Sequence, residues 1–299
     1  MADLVLHRDF VPAYGRAVAV VPGVRRVTAP NPGPFTFAGT NSYIVGLGKV
    51  AVIDPGPDDA AHFHALMSAT TGETITHIFV THAHRDHSAG VSRLAAATGA
   101  RSHGFGRRAG GLENAVRVDT GIDPDFVPDE GLADGARVAG DGWLLEAIAT
   151  PGHASDHLAF ALMGSDLIFS GDHVMAWSTT VVAPPEGSMP AYMASLDQLM
   201  ARAEDTYLPG HGGPVVKAHD HVRALKAHRL QRAAAIREAL AAGADTIPAI
   251  VAAVYADLDP ALAGAAGLSV LAHLEDLIAR GEVVGDGPQR PPMRFRLNR

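Results

Sequence analysis

The chain of 299 residues carries 24 Lys and Arg against 32 Asp and Glu, a net charge of -8, with no cysteine and 16 histidines. The lack of cysteine excludes a disulfide framework, a thiolate metal site and a cysteine nucleophile, so any metal must be held by nitrogen and oxygen, and the acidic total speaks against a nucleic-acid binder that works through bulk charge. No apolar run reaches the ~20 residues of a membrane span, and the N-terminal MADLVLHRDFVPAYG meets acidic residues and Pro12 where a signal peptide needs an unbroken apolar core, which leaves a cytoplasmic protein with no membrane role as the expectation.

From Thr36 to Asp54 short apolar runs are broken by glycine, SYIVG and then KVAVIDPG, and predict a hairpin of buried strands. Residues 58–70 predict a helix, ITHIFVTH (75–82) a buried strand rich in β-branched and aromatic residues, and Ser88 to Thr98 a helix stopped by Gly99. Residues 105–142 are rich in Gly, Asp and Pro and read as a long surface excursion; strands return at WLLEAIAT (143–150), LAFALM (158–163) and DLIFSGD (166–172). Ser188-Met189-Pro190 reads as a helix cap, followed by Tyr192, Met193, Leu196, Leu199 and Met200 at helical spacing, a core stripe. TYLPGHGG (206–213) reads as a strand entering a glycine loop. Beyond it come helices at about 218–242, 246–256 and from Asp259-Pro260 to Arg280, and then MRFRLNR, which alternates as a strand does. Helices followed by a strand pair predict a small winged-helix unit, which divides the chain into 1–217 and 218–299. The charge divides near the same point: residues 1–213 hold 13 basic and 23 acidic side chains (-10), and the remaining 11 basic and 9 acidic give the tail +2.

The chemistry lies in THAHRDHSAG, where His82, His84, Asp86 and His87 occupy a turn between a strand and a helix. Four ligand-type side chains within six residues of a turn can converge from two directions on two metals. Three more apolar strands end in a glycine-flanked ligand: TPGHASDH carries His153, SGD carries Asp172 and LPGHG carries His211. Five histidines and two aspartates suffice for two zinc sites, each short of one position that water can fill. His157, four residues past His153, reads either as a cleft-facing hydrogen-bond donor or as a brace for Asp156 and the next strand. His62, His64, His77, His103, His219, His221 and His273 lack this syntax and read as surface or helix-face residues. Arg223, Lys226, Arg229 and Arg232 sit three apart on the long helix and read as a solvated face, with phosphate contact the other reading.

The set resembles the metallo-β-lactamase-fold hydrolases, whose five signature motifs are matched by Asp54, the 82–87 run, His153, Asp172 and His211. The resemblance implies a four-layer αββα sandwich with the metals at the sheet edges. It implies that His82, His84 and His153 hold one zinc ion, that Asp86, His87 and His211 hold a second, that Asp172 bridges them and that Asp54 ties the ligand loop in place. Iron and manganese suit the same His and carboxylate donors. A hydroxide shared by ions roughly 3.5–4 Å apart would then be the nucleophile, with Asp86 orienting it and His157 a further catalytic candidate. Asp172 stands where the familiar β-lactamases carry Cys or Ser, which favours thioesterase and nuclease branches. The NPGPFTFAGTNSYIVG and LPGHGGPV stretches, the His228-Arg229 pair and the helical tail resemble the β-lactamase-like endoribonucleases with a winged-helix tail. The leading expectation is therefore hydrolysis of a phosphodiester such as single-stranded RNA. A glyoxalase II-like thioester hydrolase acting on a small molecule is the alternative, and a nucleic-acid-binding winged-helix protein with a secondary metal domain is the reading from another class.

Overall fold

A computed structural model describes residues 4–106, 121–256, 262–286 and 293–298. Seven strands lie side by side in chain order in the first sheet: β1 (Val18–Val21), β2 (Val24–Thr28), β3 (Asn41–Val45), β4 (Lys49–Ile53), β5 (Thr74–Phe79), β6 (Arg101–Phe105) and β7 (Glu130–Leu132). Pairing is antiparallel up to β4 and parallel after it. The change of sense follows from the connections, because a parallel pair needs a crossover, and α1 (Ala60–Ala69) and α3 (Val91–Thr98) supply it. Asp59 caps α1 by accepting from the His62 amide at 2.7 Å, and Gly99 at φ 73° ends α3.

The second sheet runs β13 (Val215–Val216), β12 (Thr206–Pro209), β11 (Leu167–Gly171), β10 (Leu158–Leu162), β9 (Leu144–Ala149), β8 (Arg137–Ala139). Only β11 and β12 are parallel, joined through α4 (Met189–Met200), whose N-cap is the Ser188 hydroxyl with Pro190 in the first turn. Strand alternation assigns residues to layers. In β4, Val50 and Val52 face Leu66 and Leu94 of the outer helices, while Ala51 and Ile53 face the second sheet. In β10, Phe160 points inward and Ala159 and Ala161 outward, towards Tyr192 and Leu196 of α4. The layers are thus helix, sheet, sheet, helix, the αββα order that the motif resemblance implies.

The helix α5 (Ala218–Ala241) belongs to two cores. Its Val222 and Leu225 pack on the second sheet and α4, whereas Ile236 and Leu240 pack with Ile250 of α6 (Ile247–Val254), Val270 and Leu274 of α7 (Ala263–Ala279) and Phe295. An antiparallel pair, β14 (Val283–Gly285) with β15 (Phe295–Leu297), completes a winged-helix unit. The helix start expected at Asp259-Pro260 lies outside the described residues. Among the described residues no helix is long and apolar enough to cross a membrane.

Several expectations need correction. The β1–β2 hairpin was not foreseen, because Arg25 and Arg26 interrupt its apolar pattern; Arg26 is nevertheless buried, with its guanidinium 4.2 Å from the centre of the Phe10 ring. Within 105–142, β7 and β8 join the two sheets rather than forming surface excursion, while 107–120 lie outside the described residues. His62, His103 and His273, read as surface or helix-face residues, are buried.

His273 sits inside the tail, where burial, reinforced by the charge of Arg229, pushes its pKa down to about 3. The folded chain therefore keeps it neutral, while the unfolded chain protonates it near its ordinary value of about 6.5. Its contribution to stability is whole above that value and falls as the pH drops from there towards 3. The denaturant midpoint of the parent should decline between pH 7.5 and 5 more steeply than that of His273→Leu; parallel declines would show that His273 carries none of the slope.

Candidate metal centre

Each candidate ligand stands where a strand ends, so the sheets fix its backbone before any ion contributes. Past β5 the chain turns through Thr81 and His82, and a short helix α2 (Arg85–Ser88) turns Asp86 and His87 to the same side. His153 follows β9, Asp172 follows β11 and His211 follows β12. All seven side chains are buried and converge.

His84 Nδ1 lies 2.9 Å from His82 Nε2 and 3.1 Å from His153 Nε2. In an adjoining cluster Asp86 Oδ2 lies 3.4 Å from His87 Nε2 and 3.3 Å from His211 Nε2. Asp172 stands between them, with Oδ1 at 3.5 Å from His87 Nε2 and Oδ2 at 3.2 Å from His211 Nε2 and 3.8 Å from His153 Nε2. His82 also groups with His87 and Asp172, so the two clusters are continuous.

The outward nitrogens fix the tautomers. His153 Nδ1 donates to the Val181 carbonyl at 2.7 Å, His211 Nδ1 to the Gly39 carbonyl at 3.3 Å, and His84 Nε2 to Glu186 Oε2 at 3.3 Å. His87 Nδ1 donates to Asp54 Oδ2 at 2.8 Å. His82 Nδ1 donates to the Thr81 hydroxyl at 3.0 Å, which in turn donates to Asp54 Oδ2 at 2.8 Å. With a proton on each outer nitrogen, all five inner nitrogens present lone pairs to the centre, the arrangement that metal-binding histidines require. Neutral rings so oriented cannot hydrogen-bond one another. His87 Nε2 and Asp172 Oδ1 are enclosed without a hydrogen-bond partner, and a Cβ on Gly210 would lie 2.5 Å from Asp172 Oδ1. Orphaned donors around a space kept clear by glycine fit a pair of divalent cations.

Asp54 holds this set from behind. Besides His87 and the Thr81 hydroxyl it accepts from the Thr81 amide at 2.7 Å, and it adopts φ 51°, a left-handed conformation unusual for a non-glycine residue. Ser42 donates to the Asp54 carbonyl and accepts from the buried His62, whose pKa burial pushes down to about 4. On the other side the Thr40 hydroxyl donates to Asp86 Oδ2 at 3.0 Å.

Electrostatics follow from the crowding. Burial opposes charge on every group, but Asp172 and Asp86 overcome it and hold the His211 pKa up to about 10. His87 is likewise raised by Asp86, Asp172 and Asp54 against its burial, and both site carboxylates, Asp86 and Asp172, are held well below their ordinary range by His87 and His211. Protons thus occupy charge positions that cations would take, so metal uptake must displace them.

His157 does not face the cleft. Its Nδ1 donates to the Thr150 hydroxyl at 2.8 Å and its Nε2 accepts from the Asp172 amide at 3.1 Å, so both nitrogens are committed and the ring braces the Asp172 turn. Of the two readings the sequence left open, the cleft-facing donor is excluded, and the brace falls on the Asp172 turn rather than on Asp156 and the next strand. The basic row on α5 is solvated at Arg223 but not throughout: Arg229 is buried, donates to the Thr180 carbonyl and lies over the Tyr192 ring. Arg223 pairs with Asp220, Lys226 with Asp197, and Arg232 donates to the Val254 carbonyl at 3.0 Å. Sequence reading missed Thr81, Thr40 and Glu186; only Thr81, adjoining the histidine run, carried a signal.

A cavity of about 240 Å³ opens onto His84, Asp86, His153, Asp172 and His211. Its apolar lining comes from Phe35, Met175 and Trp177 of the sandwich and from Tyr255, Leu262 and Ala266 of the tail.

The family model of the metallo-β-lactamase superfamily matches residues 35–211, and that of the β-lactamase-associated winged-helix domain matches residues 246–289. The chain is 33% identical to a β-lactamase-like protein 2 homolog of Caenorhabditis elegans, over 70% of this chain and 68% of that protein. It is 26% identical to an atrochrysone carboxyl ACP thioesterase of Claviceps purpurea, over 75% of this chain and 67% of that one. A metallo-β-lactamase family protein of Thermus thermophilus superposes with a TM-score of 0.75 at 24% identity, covering 93% of this chain and 100% of its own.

Asp54→Asn keeps the shape of the side chain but removes the charge and one acceptor, so it should weaken retention of the metals by about 10–100-fold. Chelator competition on the full chain reads this directly, and unchanged retention would remove Asp54 from its holding role.

Proposed function

The chain belongs to the metallo-β-lactamase superfamily and carries a β-lactamase-associated winged-helix domain, and from that premise we propose that it hydrolyses an acyl thioester. The observation that carries the reading is the cavity: its walls are mostly apolar and meet at the metal-ligand cluster, which suits an acyl chain whose carbonyl reaches the centre. Two guanidinium groups line it among the described residues, Arg8, which is exposed, and the buried Arg229. Phosphodiester backbones are recognised by free Lys and Arg side chains in number, and the neighbouring ones on α5 are already paired. This is the reason to prefer the thioester over the single-stranded RNA that the sequence resemblance suggested. The thioesterase relative points the same way.

When bound, two divalent cations supply a nucleophilic water at neutral pH and polarise the carbonyl under attack. The protein's own groups do the rest. Asp86, fixed by the Thr40 hydroxyl, holds one carboxylate oxygen towards the centre, and Asp172 turns Oδ1 towards His87 and Oδ2 towards both His211 and His153, so that its Oδ2 reaches both clusters. Phe35, Trp177 and the tail helices enclose the acyl chain and exclude bulk water, which strengthens each polar contact inside. A thiol leaving group has a pKa of about 8.5 and departs as the thiolate. No dedicated acid is then needed, in keeping with the enclosure of His157. We infer zinc as the metal, with iron and manganese meeting the same donor set.

Metal-loaded protein should be assayed in parallel on an acyl N-acetylcysteamine thioester, a glutathione thioester, single-stranded RNA and a β-lactam. Thioester cleavage should dominate, and His84→Ala should lower it by at least ~100-fold by breaking the first cluster. Cleavage of RNA with both thioesters left intact would overturn the reading.

A further inference from the structure

Arg229 is 3% exposed, yet among the described residues no carboxylate pairs with it. A guanidinium stays charged in any protein environment, and a buried charge is costly unless it is paired. Its Nη2 is committed to the Thr180 carbonyl, its face to Tyr192 at 5.2 Å, and its Nε is enclosed with no partner. Nη1 has no hydrogen-bond partner among the described residues, and the side chain lines the cavity. The position is close to the chemistry: Thr180, held by Arg229, donates its hydroxyl to the Asp172 carbonyl at 2.8 Å.

Resting on the thioester reading, we propose that Arg229 recognises a carboxylate carried by the acyl group, so that the substrate is a carboxyacyl thioester rather than a simple alkanoyl one. The partner is a carboxylate because the enclosure is small, its walls are mostly apolar, and a single guanidinium nitrogen can still donate a charge-assisted hydrogen bond to a carboxylate oxygen. His228 and His273 beside Arg229 are kept neutral, with pKa values pushed down to about 4 and about 3 by burial and then by Arg229 itself, so they add no competing charge. An alkanoyl chain would displace water from the cavity and leave the cation without an anion, a penalty that turns into selectivity. Arg8, the other guanidinium lining the cavity, is exposed, with its Nε 3.5 Å from the Trp177 carbonyl, and remains solvated without a ligand.

The test compares N-acetylcysteamine thioesters of succinate, glutarate and adipate with those of butanoate, pentanoate and hexanoate, on metal-loaded parent, Arg229→Gln, Arg229→Lys and Arg8→Gln. At the best chain length the parent should favour the carboxyacyl member by about tenfold or more in kcat/KM. The ratio should fall towards one in Arg229→Gln, survive in part in Arg229→Lys and persist in Arg8→Gln. Metal content and thermal melting of each variant identify any loss of fold, and Arg229→Lys serves if Arg229→Gln is unstable. A parent that cleaves both series equally overturns the carboxylate proposal and leaves the thioester reading standing, as does a preference lost in Arg8→Gln but kept in Arg229→Gln. If no thioester is cleaved, the thioester reading fails, and calorimetry with glutarate, pentanoate and inorganic phosphate decides the proposal. Tighter binding of glutarate than of pentanoate, lost in Arg229→Gln, sustains the recognition of a carboxylate by Arg229 on a substrate of another class. Equal binding, or phosphate tighter than glutarate, overturns it.

Discussion

Five imidazoles and two carboxylates are packed with neighbouring inner atoms about 3–4 Å apart at the buried end of a cavity, and the rest of the structure is arranged to make that tolerable. Each inner lone pair is usable only because its outer nitrogen has an acceptor. Those acceptors come from far apart in the chain: Gly39, Asp54, Thr81, Val181 and Glu186. The sandwich supplies them because several strands of both sheets end at one edge. Asp54 concentrates the constraint, since one carboxylate serves His87 directly and His82 through the Thr81 hydroxyl, from either side of the metal space. A left-handed aspartate is strained, and it is retained where its side chain fixes two candidate ligands at once.

Much of this was legible because strand and ligand signals coincide. An apolar run ending in Gly and His or Asp states both where a strand stops and what it delivers, and β5, β9, β11 and β12 were readable on that ground. What stayed hidden depends on tertiary context. Arg26 breaks the pattern of β2 because its charge is placed over Phe10, a partner sixteen residues upstream that no local window shows. β7 and β8 have three residues each, too few for an alternation to register, and glycine and aspartate surround them. His62 sits on a helix face, which gives no hint that Ser42 lies against it and links it to the Asp54 carbonyl. His157 is one turn from a ligand and looks the same in sequence whether it faces the cleft or the core.

The tail illustrates how a boundary in composition differs from one in packing. Charge and periodicity both change near residue 217, and α5 begins at Ala218, yet its first half is as much part of the second sheet's outer core as α4 is. Winged-helix units read nucleic acid by exposing a cationic helix. Here the cations of α5 are paired, capped or buried, and the inner surface of α6 and α7 contributes Tyr255, Leu262 and Ala266 to the cavity. The module has become a wall.

That placement explains why one arginine can matter to both architecture and selectivity. The segment 172–181 carries Asp172 at one end and, at the other, the Val181 carbonyl that orients His153. Thr180 lies between, tied inward to the Asp172 carbonyl by its hydroxyl and outward to α5 through Arg229. Tyr192, beneath the guanidinium, also lies against Gly152, where a Cβ would come within 2.4 Å of the tyrosine backbone. Both ligand loops are therefore pinned against the same tyrosine and the same helix, and any shift of α5 must be felt at Asp172 and His153 together. A buried charge is an expensive way to pin a loop when a neutral donor could accept the same task. Its retention in the wall of a cavity makes sense when half of the guanidinium serves the loop and the other half serves what enters.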